Sequence, residues 1–257
     1  MIRAHGLEVE KQLPFKGRPR GEVFFGVELE VEGRDKDGDF TYDNGNGNEV
    51  RKSLIQLSDY IEDPLLKNFA LTKHDGSLVS GFEIVSCPAS LTIQKREWKR
   101  FFEDERVQKE LTVSNRCGMH VHFSRGPLTK NCQERIYDFV NLTKNRKFIT
   151  TIGGRGDRNN FCVYGSRRAT INRNAGGTRH YDSINFTQKG TVECRIFAST
   201  MDFKRFLSNL QFVVGLVHWQ RLTKNQLEIE EFQNFLQKEG EESQEIMDFI
   251  KEKELWI

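Results

Sequence analysis

Between Val27 and Glu32 the chain alternates strictly, with Val27, Leu29 and Val31 on one parity and Glu28, Glu30 and Glu32 on the other. A period of two is the signature of a β-strand, so the carboxylates share one face and the aliphatic groups the other. Three further segments repeat the arrangement. Asp75 and Glu83 flank a hairpin that turns at Asp75-Gly76 and runs into a strand over 82–85. His120-x-His122 lies in a strand over 117–124. Glu193-x-Arg195 lies in the second of two strands, 183–187 and 191–198, around a Lys189-Gly190 turn. The residues between the ionisable ones, Leu29, Val121 and Cys194, are apolar and face a core.

Helical periodicity fills the spaces between these strands. A helix is expected from about residue 53 to the interruption at Pro64, others over 92–111 and 130–148, and a strongly amphipathic one from Phe203, with Asp202 at its N-cap. Two shorter charged helices, split near Gly240, close the chain. Hairpins alternating with helices predict an α+β fold, a curved antiparallel β-sheet with helices packed on one face. The expected organisation is an N-terminal arm (1–20), one catalytic domain (21–222) and C-terminal helices (223–257) packed on that domain. No internal repeat interrupts this plan.

Composition narrows the function. Lys and Arg number 39 against 37 Asp and Glu, a net charge of +2, which argues against a dedicated nucleic-acid-binding chain. Five Cys at scattered spacing, with no CxxC pair, fit reduced thiols in a cytoplasmic protein and read as small buried hydrophobes. The start lacks an apolar signal-peptide core, and no stretch reaches the ~18 apolar residues of a membrane helix. Cytoplasmic localisation, with no membrane partner, is the expectation.

The chemistry lies in the four strands. A solvated sheet face favours Thr, Lys and mixed charges, whereas this one offers carboxylate, imidazole and a single guanidinium. Gathered carboxylates repel one another and call for cations. Mg²⁺ takes oxygen ligands and keeps waters, so it also holds nucleotide phosphates. An imidazole completes such a site or donates to a phosphate oxygen, and Arg195 is suited to clamp a carboxylate or phosphate bidentately.

These residues resemble a known family. Gly26-Val-Glu-Leu-Glu30, Gly118-Met-His-Val-His122 and Val192-Glu-Cys-Arg-Ile196, with Asp75-Gly-Ser77 and Gly81-Phe-Glu-Ile-Val-Ser-Cys-Pro88 between the first two, look like the ordered signature strands of the glutamine synthetase and glutamate–cysteine ligase superfamily. The amidoligase branch, often encoded by phages and bacteria, is the nearest match, over roughly Phe24 to Met201. The resemblance implies a glutamine synthetase-like catalytic domain and a ligase that uses ATP and two or three Mg²⁺ ions, with Mn²⁺ as a substitute. The enzyme would phosphorylate a carboxylate to an acyl phosphate, which an amine then attacks to give an amide. It implies that Glu28, His120 and Glu193 hold one metal and Glu30, Asp75 and Glu83 another. His122 would touch the transferred phosphate, and Arg195 would face the acyl phosphate or the substrate carboxylate. The chain departs from the pattern at Asp75, shorter than Glu. It also has Thr191 where glutamine synthetases place a basic residue, so Lys189 or an Arg of the preceding loop stands in as the phosphate contact.

Rival readings remain open. The Gly- and Asn-rich segment 150–182, dense in Arg, is either an anion clamp, with Arg167 and Arg168 beside Tyr164 as the catalytic pair, or a solvated loop. Cys117-x-x-His120-x-His122 is also a zinc pattern. The carboxylate and His cluster equally suits a metal-dependent hydrolase or phosphatase. The basic segments suit a nucleic-acid-associated modifying protein, nucleic acid being a partner that the overall charge does not indicate. Under the ligase reading the partners are a carboxylate and an amine, each a free amino acid, a peptide, a protein side chain or a modified base. A monomer or dimer is expected.

Overall fold

β1 (Phe25–Gly33) forms where the alternation predicts it. The computed structural model describes residues 16, 23–34, 47–78, 80–156, 161–165, 181–224 and 226–257, with side chains of the first helix from Leu54 onward. The expected arm, 1–20, therefore lies outside the described residues except for Lys16. The fold is α+β, with antiparallel strand pairs and helices. The chain divides into two compact units, the first centred on Phe24–Met119 with Ser199–Phe203, the second on His120–Ala198 with Lys204–Ile257.

In the first unit α1 (Gly47–Tyr60) follows β1. A hairpin of β2 (Ala70–Lys73) and β3 (Gly81–Ser86) comes next. Then come α2 (Leu91–Phe102), α3 (Glu105–Glu110) and the short β4 (Leu111–Thr112). The strand order is β2-β3-β1, with β4 on β1. Register fixes the faces: Leu29 pairs with Ile84 and Thr72 with Ile84, while Glu30 pairs with Glu83 and Lys73 with Glu83. One side chain ties this sheet to α2. The buried Gln94 amide donates to Phe25 O at 2.6 Å and Cys87 O at 2.9 Å, and accepts from Trp98 Nε1 at 2.9 Å and Ser86 Oγ at 3.2 Å. All four of its hydrogen-bonding positions are filled, which is what allows a polar group there. Trp98 packs edge-on to Phe69 and Phe101 beneath it.

The single helix expected over 92–111 is two. Asp104 breaks it, because its Oδ1 accepts from Val107 N at 2.9 Å as an N-cap and its Oδ2 accepts from the Tyr60 hydroxyl at 2.6 Å. Removing both bonds in Asp104→Ala is expected to cost about 1–2 kcal/mol. Urea unfolding with an unchanged midpoint would show that the cap carries no weight.

The second unit takes most of β5 (Gly118–Ser124), then α4 (Lys130–Asn141), α5 (Arg146–Gly153), β6 (Ile184–Asn185), β7 (Thr191–Ala198) and α6 (Phe203–Leu222). It ends with α7 (Ile229–Glu239) and α8 (Gln244–Glu252). The strand order is β5-β7-β6. Arg125 N, just past β5, donates to Gly190 O, just before β7, so this pair is antiparallel. The helix expected over 130–148 divides at Leu142, whose backbone is extended. Asn145 recovers the exposed end of α4 by donating to Phe139 O at 2.9 Å. The strand expected over 183–187 shortens to 184–185.

α6 differs from expectation in kind. It is buried on nearly every side, polar residues Asn209, Gln211 and Gln220 included, rather than amphipathic. The C-terminal helices account for this. Phe212 and Trp219 pack on Phe232 of α7, Phe212 also meets Phe197 of β7, and Gln211 Oε1 accepts from Ile246 N of α8 at 3.0 Å. A β-carbon on Gly215 would come within 2.5 Å of Leu236 Cδ2, so the glycine sets how closely α6 and α7 approach. All five cysteines are buried, and none forms a disulfide. No helix among the described residues is long and apolar enough to cross a membrane.

Candidate functional site

The ionisable parity of the strands is largely buried, with Glu28 and His122 half-buried. Glu30, Glu83, His120, Glu193 and Arg195 are each 3–6% exposed. Leu29, Val121 and Cys194 on the other parity are buried too, as the alternation implies. Taking carboxylates out of water is costly unless cations or donors meet them, so the partners of each group define what the site can do.

In the first unit, Glu28 and Glu83 each bring a carboxylate oxygen within 4.8 Å of the other. Lys73, directly across from Glu83 on β2, places Nζ 2.9 Å from Glu83 Oε2 and 3.6 Å from Glu28 Oε1. Burial pushes the Glu83 carboxyl well above the usual carboxylate range. The charge of Glu28 and a hydrogen bond with it add to the rise, against the pull of Lys73. Burial works against the Lys73 ammonium, yet Glu28 and Glu83 more than offset it and hold it above the ordinary lysine range. The pair therefore retains a proton readily, held between two carboxylates beside one ammonium. Oxygen donors gathered in this way match the ligand preference of a hard divalent cation.

Glu30 sits on the same face, paired in register with Glu83, and its Oε2 accepts from Gly118 N at 2.5 Å. Asp75 is half-buried at the hairpin turn, where its Oδ1 accepts from Ser77 N at 2.7 Å. That bond makes it a turn-forming residue as well as a carboxylate.

In the second unit, Glu193 is the hub. Its Oε2 accepts from Asn185 Nδ2 at 2.7 Å, its Oε1 from Arg195 NH1, and His120 Nδ1 lies 3.4 Å from Oε1. His122 brings a ring nitrogen within 4.8 Å of a Glu193 carboxylate oxygen, and its Nδ1 is 3.4 Å from Thr191 Oγ1. The Arg195 guanidinium also lies 5.8 Å from the Tyr181 ring centroid, and its Nε donates to Phe161 O at 3.5 Å. Lys189 is exposed in the turn between β6 and β7. Arg167 and Arg168 lie outside the described residues.

Sequence reasoning missed two members. Lys73 shares the parity of Asp75, so Lys73-x-Asp75 was its available signal. Asn185 had none, because its role depends on pairing with Glu193 across β6 and β7. Burial pushes the Cys117 thiol up to about 11, with Glu32 and Glu30 adding to it, and its sulfur accepts from Ser114 N.

No protein-family model matches the sequence, and no curated protein is recognisably similar to it. Among solved structures, the complex between the prokaryotic ubiquitin-like protein Pup and its ligase PafA aligns at 9% identity with a TM-score of 0.38, over 79% of this chain. The chain spans about half, 47%, of the length of that structure.

Proposed function

We propose that this chain is an ATP- and Mg²⁺-dependent carboxylate–amine ligase of the amidoligase type. The observation that carries the reading is the gathering of carboxylate and imidazole ligand atoms on these strands, above all the Glu28–Glu83 pair, whose carboxylate oxygens lie within 4.8 Å of each other. In the first unit Glu28, Glu30, Glu83 and Asp75 are the proposed metal ligands, and in the second His120 and Glu193 are. Mg²⁺ bound there would neutralise the nucleotide phosphates and the charge that develops during transfer.

The reaction is two displacements. A substrate carboxylate oxygen takes the γ-phosphoryl group, with ADP leaving, and an amine then attacks the acyl carbon and expels phosphate as the amide forms. The protein's own contribution is placement and charge. Arg195 presents a planar cation held in orientation by Glu193, suited to an acyl phosphate or a substrate carboxylate. His122 offers an imidazole to the transferred phosphate, steadied by Thr191. Lys189 and the Arg167–Arg168 pair are the proposed outer phosphate contacts. Amine and carboxylate are small molecules or protein side chains under this reading.

Nucleotide binding tests it directly. ADP with Mg²⁺ at ~100 times its dissociation constant is expected to add about 2.7 kcal/mol of stability. That is a melting shift of roughly 5–10 °C at about 2–4 °C per kcal/mol. The shift should need Mg²⁺ and should shrink in Glu30→Gln, whose amide oxygen still accepts from Gly118 N. A full shift without Mg²⁺, or an undiminished one in the variant, would remove the metal ligand assignment.

A further inference from the structure

The lysine that sequence reasoning overlooked has a position that a purely structural residue does not need. Lys73 reaches from β2, the strand next to β3, into the space between two carboxylates, at 2.9 Å from Glu83 and 3.6 Å from Glu28. Its side chain is 12% exposed, against 4% for Glu83 and 18% for Glu28. The carboxylates of Glu28, Glu83 and Asp75 all favour its charged form. The ammonium thus occupies the place where a divalent cation shared by Glu28 and Glu83 would sit. Two cations cannot share that place, because like charges a few ångströms apart away from water repel strongly. A lysine ammonium is also a compact charge on a flexible four-carbon stem, able to swing out where a shorter group could not.

We propose that Lys73 is a resident counter-cation of the Glu28–Glu83 pair that a divalent metal must displace, so that the ammonium and the metal alternate in one place. The proposal rests on the metal-binding role given to those carboxylates above. It makes Lys73 a positioning residue that keeps the strands together while the site waits for its metal. Metal entry is then an exchange rather than an addition. It sets a threshold below which the site stays closed by its own lysine.

The test uses Mn²⁺ alone, without nucleotide, on the whole chain. Lys73→Met keeps the length of the stem and removes the charge. It is expected to melt lower without metal, because two buried carboxylates lose their cation, and to bind Mn²⁺ at least tenfold more tightly than the parent. Glu83→Gln should abolish this binding and so locate it. A merely structural lysine predicts the lower melting with Mn²⁺ affinity equal or weaker. Equal or weaker affinity would overturn the exchange and leave the ligase reading standing, whereas no Mn²⁺ binding to either protein would overturn both. Should Lys73→Met not fold, the parent still decides. Acetylation of Lys73, followed by mass spectrometry, should speed up severalfold when Mn²⁺ is added, and an unchanged or slower rate while Mn²⁺ binds would sink the proposal.

Discussion

Glu193→Gln is expected to reduce Mg²⁺-dependent ATP turnover by about a hundredfold or more, at the upper end of what losing a metal-site residue costs. Glu193 receives Asn185 on one oxygen and Arg195 on the other, with His120 beside it. A carboxylate meets donors on both oxygens, but a carboxamide has only one oxygen to offer. Its NH₂ must therefore face either the Asn185 amide or the Arg195 guanidinium, donor against donor. The variant loses a negative ligand and removes the carboxylate that faces the buried Arg195, a change worth about 3 kcal/mol in stability. Melting and turnover must accordingly be measured together. Arg195→Lys is the informative companion, since it keeps the charge beside Glu193 while removing the planar fork. Parent-like turnover in Glu193→Gln would show that Glu193 neither binds metal nor orients Arg195 for chemistry.

The second large effect is on stability. Gly153→Ala is expected to lower the melting temperature by roughly 5 °C or more, at about 2–4 °C per kcal/mol for a chain of this length. Gly153 closes α5, where alanine alone would favour the helix by about 1 kcal/mol. The packing overrides that preference. A β-carbon there would stand 2.2 Å from Ile196 O and 3.0 Å from Ile196 C, both backbone atoms of β7. A flexible side chain can move aside, but a strand carbonyl moves only with its strand. The neighbouring bridge between Gly154 and Phe197 would be strained as well. Overpacking commonly costs 1–3 kcal/mol and occasionally more. A rigid backbone contact belongs at the upper end of that range, leaving a net loss after the gain in helix preference. A rise in melting temperature would mean that α5 can lift off β7 at little cost.

Those two sites also show what could be read from sequence and what could not. The strands were legible because alternation is local. β7 occupies the expected 191–198, and β5 begins one residue later than expected and ends where expected. The parity of Glu28, Glu30, His120, Glu193 and Arg195 followed from the same rule. Helix breaks were not legible where the cause lay elsewhere in the chain. Asp104 interrupts 92–111 while holding the Tyr60 hydroxyl, forty-four residues away. α6 presents an amphipathic pattern, but its polar Gln211 is buried because α8 supplies its partners. Lys73 escaped notice for a related reason. Its significance is its register with Glu83, which depends on how two strands pair and not on the sequence around either. The burial of Glu30, Glu83, His120, Glu193 and Arg195 on the ionisable face was likewise invisible, since alternation distinguishes the two faces of a strand without saying what covers either.

The hidden thiols give the molecule a built-in probe of its own opening. Burial pushes Cys87, Cys117, Cys132 and Cys162 up to about 11 and raises Cys194 further, so in the folded chain each is both shielded and protonated. A thiol reagent reacts with exposed thiolate, so its rate reports how often a given region comes apart. Cys87 and Cys117 belong to the first unit, and Cys132, Cys162 and Cys194 to the second. Peptide mapping of the modified cysteines therefore times the two units separately, without any label having been engineered into either.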